Sequence, residues 1–301
     1  LEKIMTQCNW SLVIVQGDTE SAFLGALAGF YHRVPVAHVE AGLRTYNLNR
    51  PFPEEGLRQM LSRIAKYHFA PTEGAQANLL SEGVSPADIT VTGNTVIDAQ
   101  PWVCAAKGIR RKINGQGHML VTVHRRENWG DDVDQICHAV AEIALQHPTL
   151  KVLFPVHLNP IIQAPVQRIL GHLNNVMLTP PLDYLQMQQA LVDAWLVLTD
   201  SGGLQEEAPT FNVPVLVLRD ETERPEAIAS GCATVIGANR QNIVNAVNRL
   251  LSDQLAYRRM QQAGNPFGDG RASQQIVARL EASFRASQSN NSIDVEVKKC
   301  G

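Results

Sequence analysis

Short apolar runs rich in β-branched residues alternate with helical segments along most of this chain. The runs at 11–16 and 35–39 each have the length of a strand buried on both faces, and the Ala- and Leu-rich segment 22–32 between them is typical of a helix. Alternating strand–helix units favour a parallel, doubly wound sheet and therefore an α/β fold. The other predicted strands are 67–70, 89–92, 118–123, 151–156, 176–178, 195–198, 215–218 and 234–236, and the other predicted helices are 133–146, 160–171, 184–192, 204–210, 223–230 and 241–263.

The chain has 301 residues, which exceeds the size at which a single core usually stops growing, so we expect two domains. The boundary is predicted near 93–107, where the strand–helix pattern restarts. The segment 287–301 carries Ser and Asn followed by mixed charges, and we expect it to be a disordered tail.

Composition excludes several classes of function. The net charge of -3 arises from 26 basic and 29 acidic residues, so no bulk field favours binding to nucleic acid or to an anionic membrane. The five cysteines are scattered and form no CxxC pair, which favours reduced thiols in a cytosol over a disulfide framework or a zinc site. No apolar run approaches the roughly 20 residues needed to cross a bilayer, and no signal peptide is evident. We therefore expect a cytoplasmic protein that binds neither nucleic acid nor membrane.

A glycine-rich turn follows one predicted buried strand, in the segment TDSGGLQEEAP at 199–209. Gly202 and Gly203 allow a ligand to approach the backbone closely, and the N-terminus of the helix that follows offers N–H groups suited to a diphosphate. Glu207, one turn into that helix, can accept two vicinal ribose hydroxyls, and the next strand brings Arg224 to the same sheet edge. This combination indicates a nucleotide-sugar site. The alternative is an ordinary strand–turn–helix corner with solvated acids.

Other predicted strands also end in ionisable groups, and ligands of such sheets bind at the carboxyl ends of the strands. Taken singly, Asp18 could be a helix N-cap, and Glu40 could pair with Arg44. Glu54 could be a first-turn helix acid, and His157 could be a loop histidine with its hydrogen bonds satisfied. Taken together, three carboxylates in one half of the chain and a histidine with a phosphate-binding turn in the other predict a cleft.

The chain resembles the non-hydrolysing UDP-N-acetylglucosamine 2-epimerases from about residue 11 to residue 283. Each motif alone is weak, but their order is specific. The motifs are GDT at 17–19, HVEAGLRT at 38–45, PFPEE at 51–55, PTE at 71–73, TGNTVIDA at 92–99, HRREN at 124–128, PVHLNP at 155–160, TDSGGLQEEAP at 199–209, RDETERPEA at 219–227 and NPFGDGRAS at 265–273.

The resemblance implies an enzyme that interconverts UDP-GlcNAc and UDP-ManNAc, without NAD or an obligatory metal, by eliminating UDP and adding it back. It also implies two Rossmann-like domains as in B-type glycosyltransferases, with the active site in the cleft between them. We accordingly expect one domain at 1–96, a UDP-binding domain at 97–267, and a helix at about 268–286 that packs back on the first domain. Family members are usually dimers, so a homodimer is expected.

The resemblance also assigns roles to individual residues. It assigns proton transfer on the sugar to Asp18, Glu40 and Glu54, but it does not indicate which of them is the base. It assigns stabilisation of the diphosphate to His157. The UDP moiety is expected to contact two groups of residues: Leu182 and Met187 at the uracil, and Ser201, Gly202, Gly203, Glu207 and Arg224 at the phosphates and ribose.

The sequence departs from the family pattern in three places. Met187 stands where an aromatic residue is common, and Leu57 stands where Asn is usual. Family members begin with additional βα units, whereas this chain opens just before the GDT strand, so we expect an incomplete first domain. Three functions remain open at this stage: an epimerase that supplies UDP-ManNAc for a surface polysaccharide, a hydrolysing 2-epimerase that releases ManNAc and UDP, and a nucleotide-binding chain without activity.

Overall fold

The computed structural model describes residues 1–113, 117–125 and 129–297, with side chains described as far as residue 286. The chain divides into two compact units, one formed by Leu1–Asp98 with Phe267–Gly301 and the other by Ala99–Pro266. Each contains one parallel sheet with helices between its strands, so the predicted α/β class is confirmed.

The sheet of the first unit has four parallel strands in the order β1-β2-β3-β4. β1 lies at the edge of this sheet and its Ile14 is 56% exposed, whereas β2, between β1 and β3, is buried along its whole length. The elements are α1 (Glu2–Met5), β1 (Val13–Gln16), α2 (Glu20–Tyr31), β2 (Val36–Val39), α3 (Glu54–Ile64), β3 (Tyr67–Ala70), α4 (Glu73–Ser81), a 3-10 turn (Pro86–Asp88) and β4 (Ile89–Val91). The next helix, α5 (Thr95–Lys107), begins in this unit and continues into the second.

The last helix of the chain, α13 (Ala272–Val297), packs on the sheet of the first unit. Its Ile276 and Leu280 pack in one apolar cluster with Phe69 of β3. The Asp98 carboxylate accepts the backbone N–H groups at 272 and 273 (3.0 and 2.6 Å), which caps the first turn of α13. The backbone at 287–297, which was expected to belong to a disordered tail, continues α13, while the side chains from 287 onward and residues 298–301 lie outside the described structure.

The sheet of the second unit has six parallel strands in the order β10-β9-β8-β5-β6-β7. The central strands β5 and β8 are buried along their whole length, as expected for apolar runs covered by helices on both faces. The elements are β5 (His118–Thr122), α6 (Asp131–Gln146), β6 (Val152–Pro155), α7 (Pro160–Leu170), β7 (Val176–Thr179), α8 (Tyr184–Asp193), β8 (Ala194–Thr199), α9 (Gly202–Glu207), a 3-10 turn (Ala208–Phe211), β9 (Val215–Val217), α10 (Pro225–Ser230), β10 (Ala233–Val235), α11 (Arg240–Ser252) and α12 (Gln254–Gln261).

Two predicted helices differ from the observed ones. The continuous helix at 241–263 is wrong, because the chain breaks at Asp253, whose carboxylate accepts the N–H groups of Leu255 and Ala256 and starts α12. The helix at 204–210 begins earlier, at Gly202, and changes to a 3-10 turn after Glu207. In both places the apolar pattern of the sequence continues while the α-helix stops. At Asp253 the cause is a capping hydrogen bond, and after Glu207 it is a change of helix type.

Within the described ranges, no helix combines the length and the apolar character needed to span a bilayer. Nor does that part of the chain bring three or more His, Cys, Asp or Glu side chains into a group that could hold a metal ion. Four cysteines are described, and each is a free thiol.

Candidate active site

Asp18 lies directly after β1, at the carboxyl edge of the first sheet. Its Oδ2 atom accepts hydrogen bonds from Nε (2.9 Å) and contacts Nη2 (2.7 Å) of Arg58, a buried residue of α3. The interpretation of Asp18 as an N-cap is wrong, because the cap of α2 is Thr19, whose Oγ1 accepts the N–H of Ala22. The Asp18 carboxylate therefore binds Arg58 and does not cap the helix that follows it.

Glu40 follows β2, the strand that pairs with β1. Its φ of 66° is in the left-handed region, which is uncommon for a residue other than glycine and is often associated with functional sites. The Glu40 Oε2 atom lies 3.6 Å from the point that a Cβ would occupy at Gly17, the neighbour of Asp18. Arg44, the partner considered for Glu40 from the sequence, binds both carboxylate oxygens of Glu82 (2.7 and 2.9 Å).

Glu54 is the first residue of α3 and is half-buried, as expected for a first-turn acid. Arg58 follows one turn later in the same helix, and residues four apart lie on one side of a helix. Since Arg58 binds Asp18, the side of α3 that carries Glu54 also faces Asp18. Glu40 therefore lies beside Gly17, the neighbour of Asp18, and Glu54 lies one helical turn from the arginine that binds Asp18.

His38 fixes the turn that precedes Asp18. Burial lowers the pKa of His38 to about 4, so the imidazole is neutral at pH 7. Its Nε2 atom lies 2.8 Å from the carbonyl oxygen of Gly17, and because a carbonyl only accepts, Nε2 must carry the proton. Gly17 itself has a φ of 75°, a conformation that favours glycine.

In the second unit, the predicted glycine turn lies at the carboxyl end of β8. The Ser201 Oγ atom caps α9 by accepting the N–H of Leu204 (3.4 Å), while the N–H groups of Gly202 and Gly203 are in the first turn and have no acceptor within the helix. A Cβ at Gly202 would lie 3.3 Å from Oε1 of Glu223 and 3.8 Å from Cζ of Arg224. The turn therefore packs directly against charged side chains, and Arg224 is adjacent to it as predicted.

Those charged side chains form an arginine–glutamate cluster, which consists of Arg125, Arg219, Arg224, Glu206 and Glu223. Arg224 pairs with Glu206, while Arg219 and Arg125 both pair with Glu223. Burial alone raises the pKa of Glu223, but the charges of Arg219 and Arg224 outweigh it and lower that pKa to about 2. Within this cluster the guanidinium groups outnumber the carboxylates, and the guanidinium of Arg224 lies beside the turn.

A histidine–aspartate pair adjoins this cluster and was not among the predicted site residues. The fully buried Asp200 carboxylate accepts the N–H groups of His124 and Arg125 and lies 2.8 Å from Nδ1 of His124. Burial acts to raise the pKa of Asp200, but the hydrogen bonds and the charge of His124 outweigh it and lower that pKa. The available signal is that both residues follow the central strands β5 and β8, which pair in the sheet.

His157 is exposed in the turn between β6 and α7. Its Nδ1 atom accepts the N–H of Asn159 (3.1 Å), so in the neutral ring Nε2 carries the proton. Among the described residues, no contact joins His157 to the turn at 201–203 or to Arg224. The motif at 124–128 is described only in part, since residues 126–128 lie outside the described structure.

Glu207 ends α9 and is held by a buried glutamine. Its Oε2 atom accepts Nε2 of Gln188 (2.9 Å), and burial together with the charge of Glu206 raises the pKa of Glu207 despite that hydrogen bond. Gln188 belongs to α8, which begins just after Leu182 and also carries Met187. Both of these apolar residues are half-buried, so α8 connects the predicted uracil contacts to the predicted ribose contact.

The chain is similar to named proteins over most of its length. The profile of the family described as UDP-N-acetylglucosamine 2-epimerase matches residues 1–281. The UDP-N-acetylglucosamine 2-epimerase of Yersinia pestis is 48% identical over 293 residues, which cover 93% of this chain and 78% of that relative. The enzyme of the same name from Escherichia coli K12 is 46% identical with the same coverage of both chains.

Solved structures match as well. UDP-GlcNAc 2-epimerase from Neisseria meningitidis, in a crystal structure bound to UDP-GlcNAc, gives a TM-score of 0.86 at 40% identity and covers 93% of this chain and 78% of the other. The Staphylococcus aureus MnaA–UDP co-structure gives 0.87 at 41% identity, covering 94% of this chain and 79% of the other. The expected B-type glycosyltransferase class of fold is confirmed by these matches, and the chain belongs to the UDP-N-acetylglucosamine 2-epimerase family of isomerases.

Proposed function

We propose that this protein inverts C2 of UDP-N-acetylglucosamine reversibly, giving UDP-N-acetylmannosamine, by elimination and re-addition of UDP. The proposal rests on the position of Glu40 beside Gly17, the neighbour of Asp18, and on the position of Glu54 one helical turn from the arginine that binds Asp18. Membership of the family supplies the substrate class, since relatives of known structure bind UDP-GlcNAc or UDP.

The chemistry explains why several carboxyl groups are needed. C2 of the sugar is not adjacent to a carbonyl, so its proton is too weakly acidic for simple removal and return. If a base takes that proton while the bond between C1 and the UDP oxygen breaks, the products are UDP and the enol ether 2-acetamidoglucal. Protonation of C2 from the opposite face, with return of UDP to C1, completes the inversion. The route requires a base and an acid near the sugar, and we assign these roles to Asp18, Glu40 and Glu54 without ordering them.

The leaving group requires cations and N–H donors, because negative charge develops on the diphosphate as the C1–O bond breaks. In the proposal, Arg224 and the turn formed by Ser201, Gly202 and Gly203 hold the phosphates, and His157 assists them through Nε2. Glu207 holds the ribose. Leu182 and Met187 contact the uracil, with Met187 providing a flexible thioether instead of an aromatic ring.

Incubation with UDP-GlcNAc in D2O tests the proposed reaction. We expect deuterium at C2 of UDP-ManNAc and also at C2 of the recovered UDP-GlcNAc. Both sugars form from a common intermediate, and the groups that protonate it at C2 exchange their protons with the solvent. NMR and mass spectrometry measure both. UDP with free ManNAc would instead identify the hydrolysing alternative, and UDP binding without turnover would identify an inactive chain.

Replacement of Glu207 by alanine tests the ribose contact. We expect UDP to bind more weakly by about 1–3 kcal/mol, the usual loss for a hydrogen bond to a charged group. Isothermal titration calorimetry measures the dissociation constant. Glu142→Ala is the matched control, because Glu142 contacts only surface groups in the described part of the same unit, the ion-pair partner Arg240 and Gln146. An unaltered dissociation constant for the Glu207 variant would dismiss the assigned role.

The wider setting is also proposed from the family resemblance. UDP-ManNAc would supply a surface polysaccharide, the protein would act in the cytoplasm, and the chain would assemble as a homodimer. Light scattering coupled to size-exclusion chromatography measures the assembly state directly.

A further inference from the structure

Arg58 binds Asp18 through one carboxylate oxygen only. Its Nε and Nη2 atoms lie 2.9 and 2.7 Å from Oδ2. Among the residues that the structure describes, none donates a hydrogen bond to Oδ1 of Asp18. The two donors hold Oδ2 against the guanidinium and leave Oδ1 as the oxygen that Arg58 does not engage. Oδ1 is then the atom able to exchange a proton with a substrate.

Arg58 is itself held in place by Glu55. The Arg58 side chain is 7% exposed and the Glu55 side chain is 0% exposed, with Nη1 of Arg58 3.5 Å from Oε2 of Glu55. Glu55 also accepts the N–H groups of Thr45 and Tyr46 (3.0 Å each) and Nε2 of Gln59 (2.9 Å). Although burial acts to raise the pKa of Glu55, these hydrogen bonds and the charge of Arg58 outweigh it and keep that pKa below its usual range. The charged Glu55 carboxylate therefore connects the loop after β2 to α3, and its negative charge stabilises the buried guanidinium of Arg58.

The same helix fixes the spacing between two of the proposed proton-transfer groups. Glu54 lies one turn before Arg58 on α3, so the position of the Arg58 guanidinium determines where Asp18 is held relative to Glu54. A reacting group displaced by about 1 Å can lose about 10²-fold in rate, because proton transfer depends on close and aligned geometry. Lysine cannot reproduce the contact, since its ammonium is a point charge on a flexible chain and lacks the planar pair of donors.

We propose that Arg58 and Glu55 are positioning residues that orient the Asp18 carboxylate for proton transfer, with Arg58 acting directly on Asp18 and Glu55 acting through Arg58. This inference rests on the proposed function. It goes beyond it by assigning roles to two residues that would not contact the sugar nucleotide themselves.

Arg58→Lys is the principal test. We expect kcat to fall by about 10²-fold with KM and the UDP dissociation constant nearly unchanged, because the charge remains while the orientation is lost. Arg63→Lys, at an exposed position on the same helix, should leave kcat unchanged. Added guanidinium, at concentrations that do not unfold the protein, should restore part of the activity of Arg58→Ala, an effect that a purely structural role would not produce. Glu55→Gln should lower kcat less than Arg58→Lys does.

Three results would overturn the proposal. The first is a kcat of Arg58→Lys equal to that of the wild type. The second is a fall in kcat that parallels the loss of thermal stability across the variants, with no rescue by guanidinium. The third is a crystal structure of Arg58→Lys in which the Asp18 carboxylate keeps its wild-type position and orientation. The crystallographic result does not depend on activity. If the wild-type protein itself shows no turnover, the proposed function fails, and the position of Asp18 in the variant still decides this inference.

Discussion

Asp18→Asn should lower the turnover of UDP-GlcNAc by about 10²–10⁴-fold, the range attributed to a general acid or base. The amide has the shape of the carboxylate and can still accept a hydrogen bond from Arg58, but it cannot exchange a proton with the sugar at neutral pH. UDP should bind with nearly unchanged affinity, because the residues assigned to UDP belong to the second unit. Coupled measurement of kcat and of the UDP dissociation constant separates the two effects.

Asp88→Asn is the matched control for this substitution. Asp88 lies in the same unit and makes an exposed ion pair with Lys66, so its loss should leave kcat and stability nearly unchanged. Turnover equal to the wild type in Asp18→Asn would remove Asp18 from the mechanism. A parallel loss of UDP affinity would indicate that the carboxylate supports binding instead of proton transfer.

The fold was largely predictable because its central strands, such as β2, β5 and β8, are buried on both faces. Such strands appear in the sequence as continuous apolar runs, and Tyr67–Ala70 was predicted with the boundaries that the structure has. The break between α11 and α12 was not predictable from periodicity, because the apolar pattern continues through it. That break depends on a single capping side chain, Asp253.

Site residues could be predicted where a short sequence motif identifies them. They could not be predicted where their contacts depend on the order of the strands in the sheet. Glycines after a strand indicate a turn wherever the strand lies in its sheet, so Gly202 could be found from the sequence alone. The contact between His124 and Asp200 requires β5 and β8 to be neighbours, although the two residues are 76 positions apart in the sequence. Similarly, the sequence offers both Asp18 and Thr19 as caps for α2, and only the buried Arg58, forty residues later, decides between them.

Glu223→Gln should reduce the free energy of unfolding of the second unit by about 3 kcal/mol at pH 7. The substitution keeps the shape of the side chain but removes the charge that Arg219 and Arg125 both contact, leaving these arginines without their shared carboxylate. Glu223 is 6% exposed, so solvent screens this loss very little. Chemical denaturation followed by tryptophan fluorescence measures the change. Glu142→Gln, which removes one charge from a surface pair in the same unit, should change stability by less than about 1 kcal/mol.

The pH dependence of that difference tests its electrostatic origin. The arginines lower the pKa of Glu223 from its ordinary value of 4.5 to about 2 in the folded protein, against the opposing effect of burial. The unfolded chain therefore takes up a proton on Glu223 before the folded one does, so the stabilisation is complete above pH 4.5 and decreases as the pH falls towards 2. Since glutamine does not titrate, the stability difference between wild type and Glu223→Gln should shrink by about 1.4 kcal/mol for each pH unit in that window. A difference that stays constant from pH 7 to pH 3.5 would mean that packing at residue 223, and not its charge, accounts for the loss.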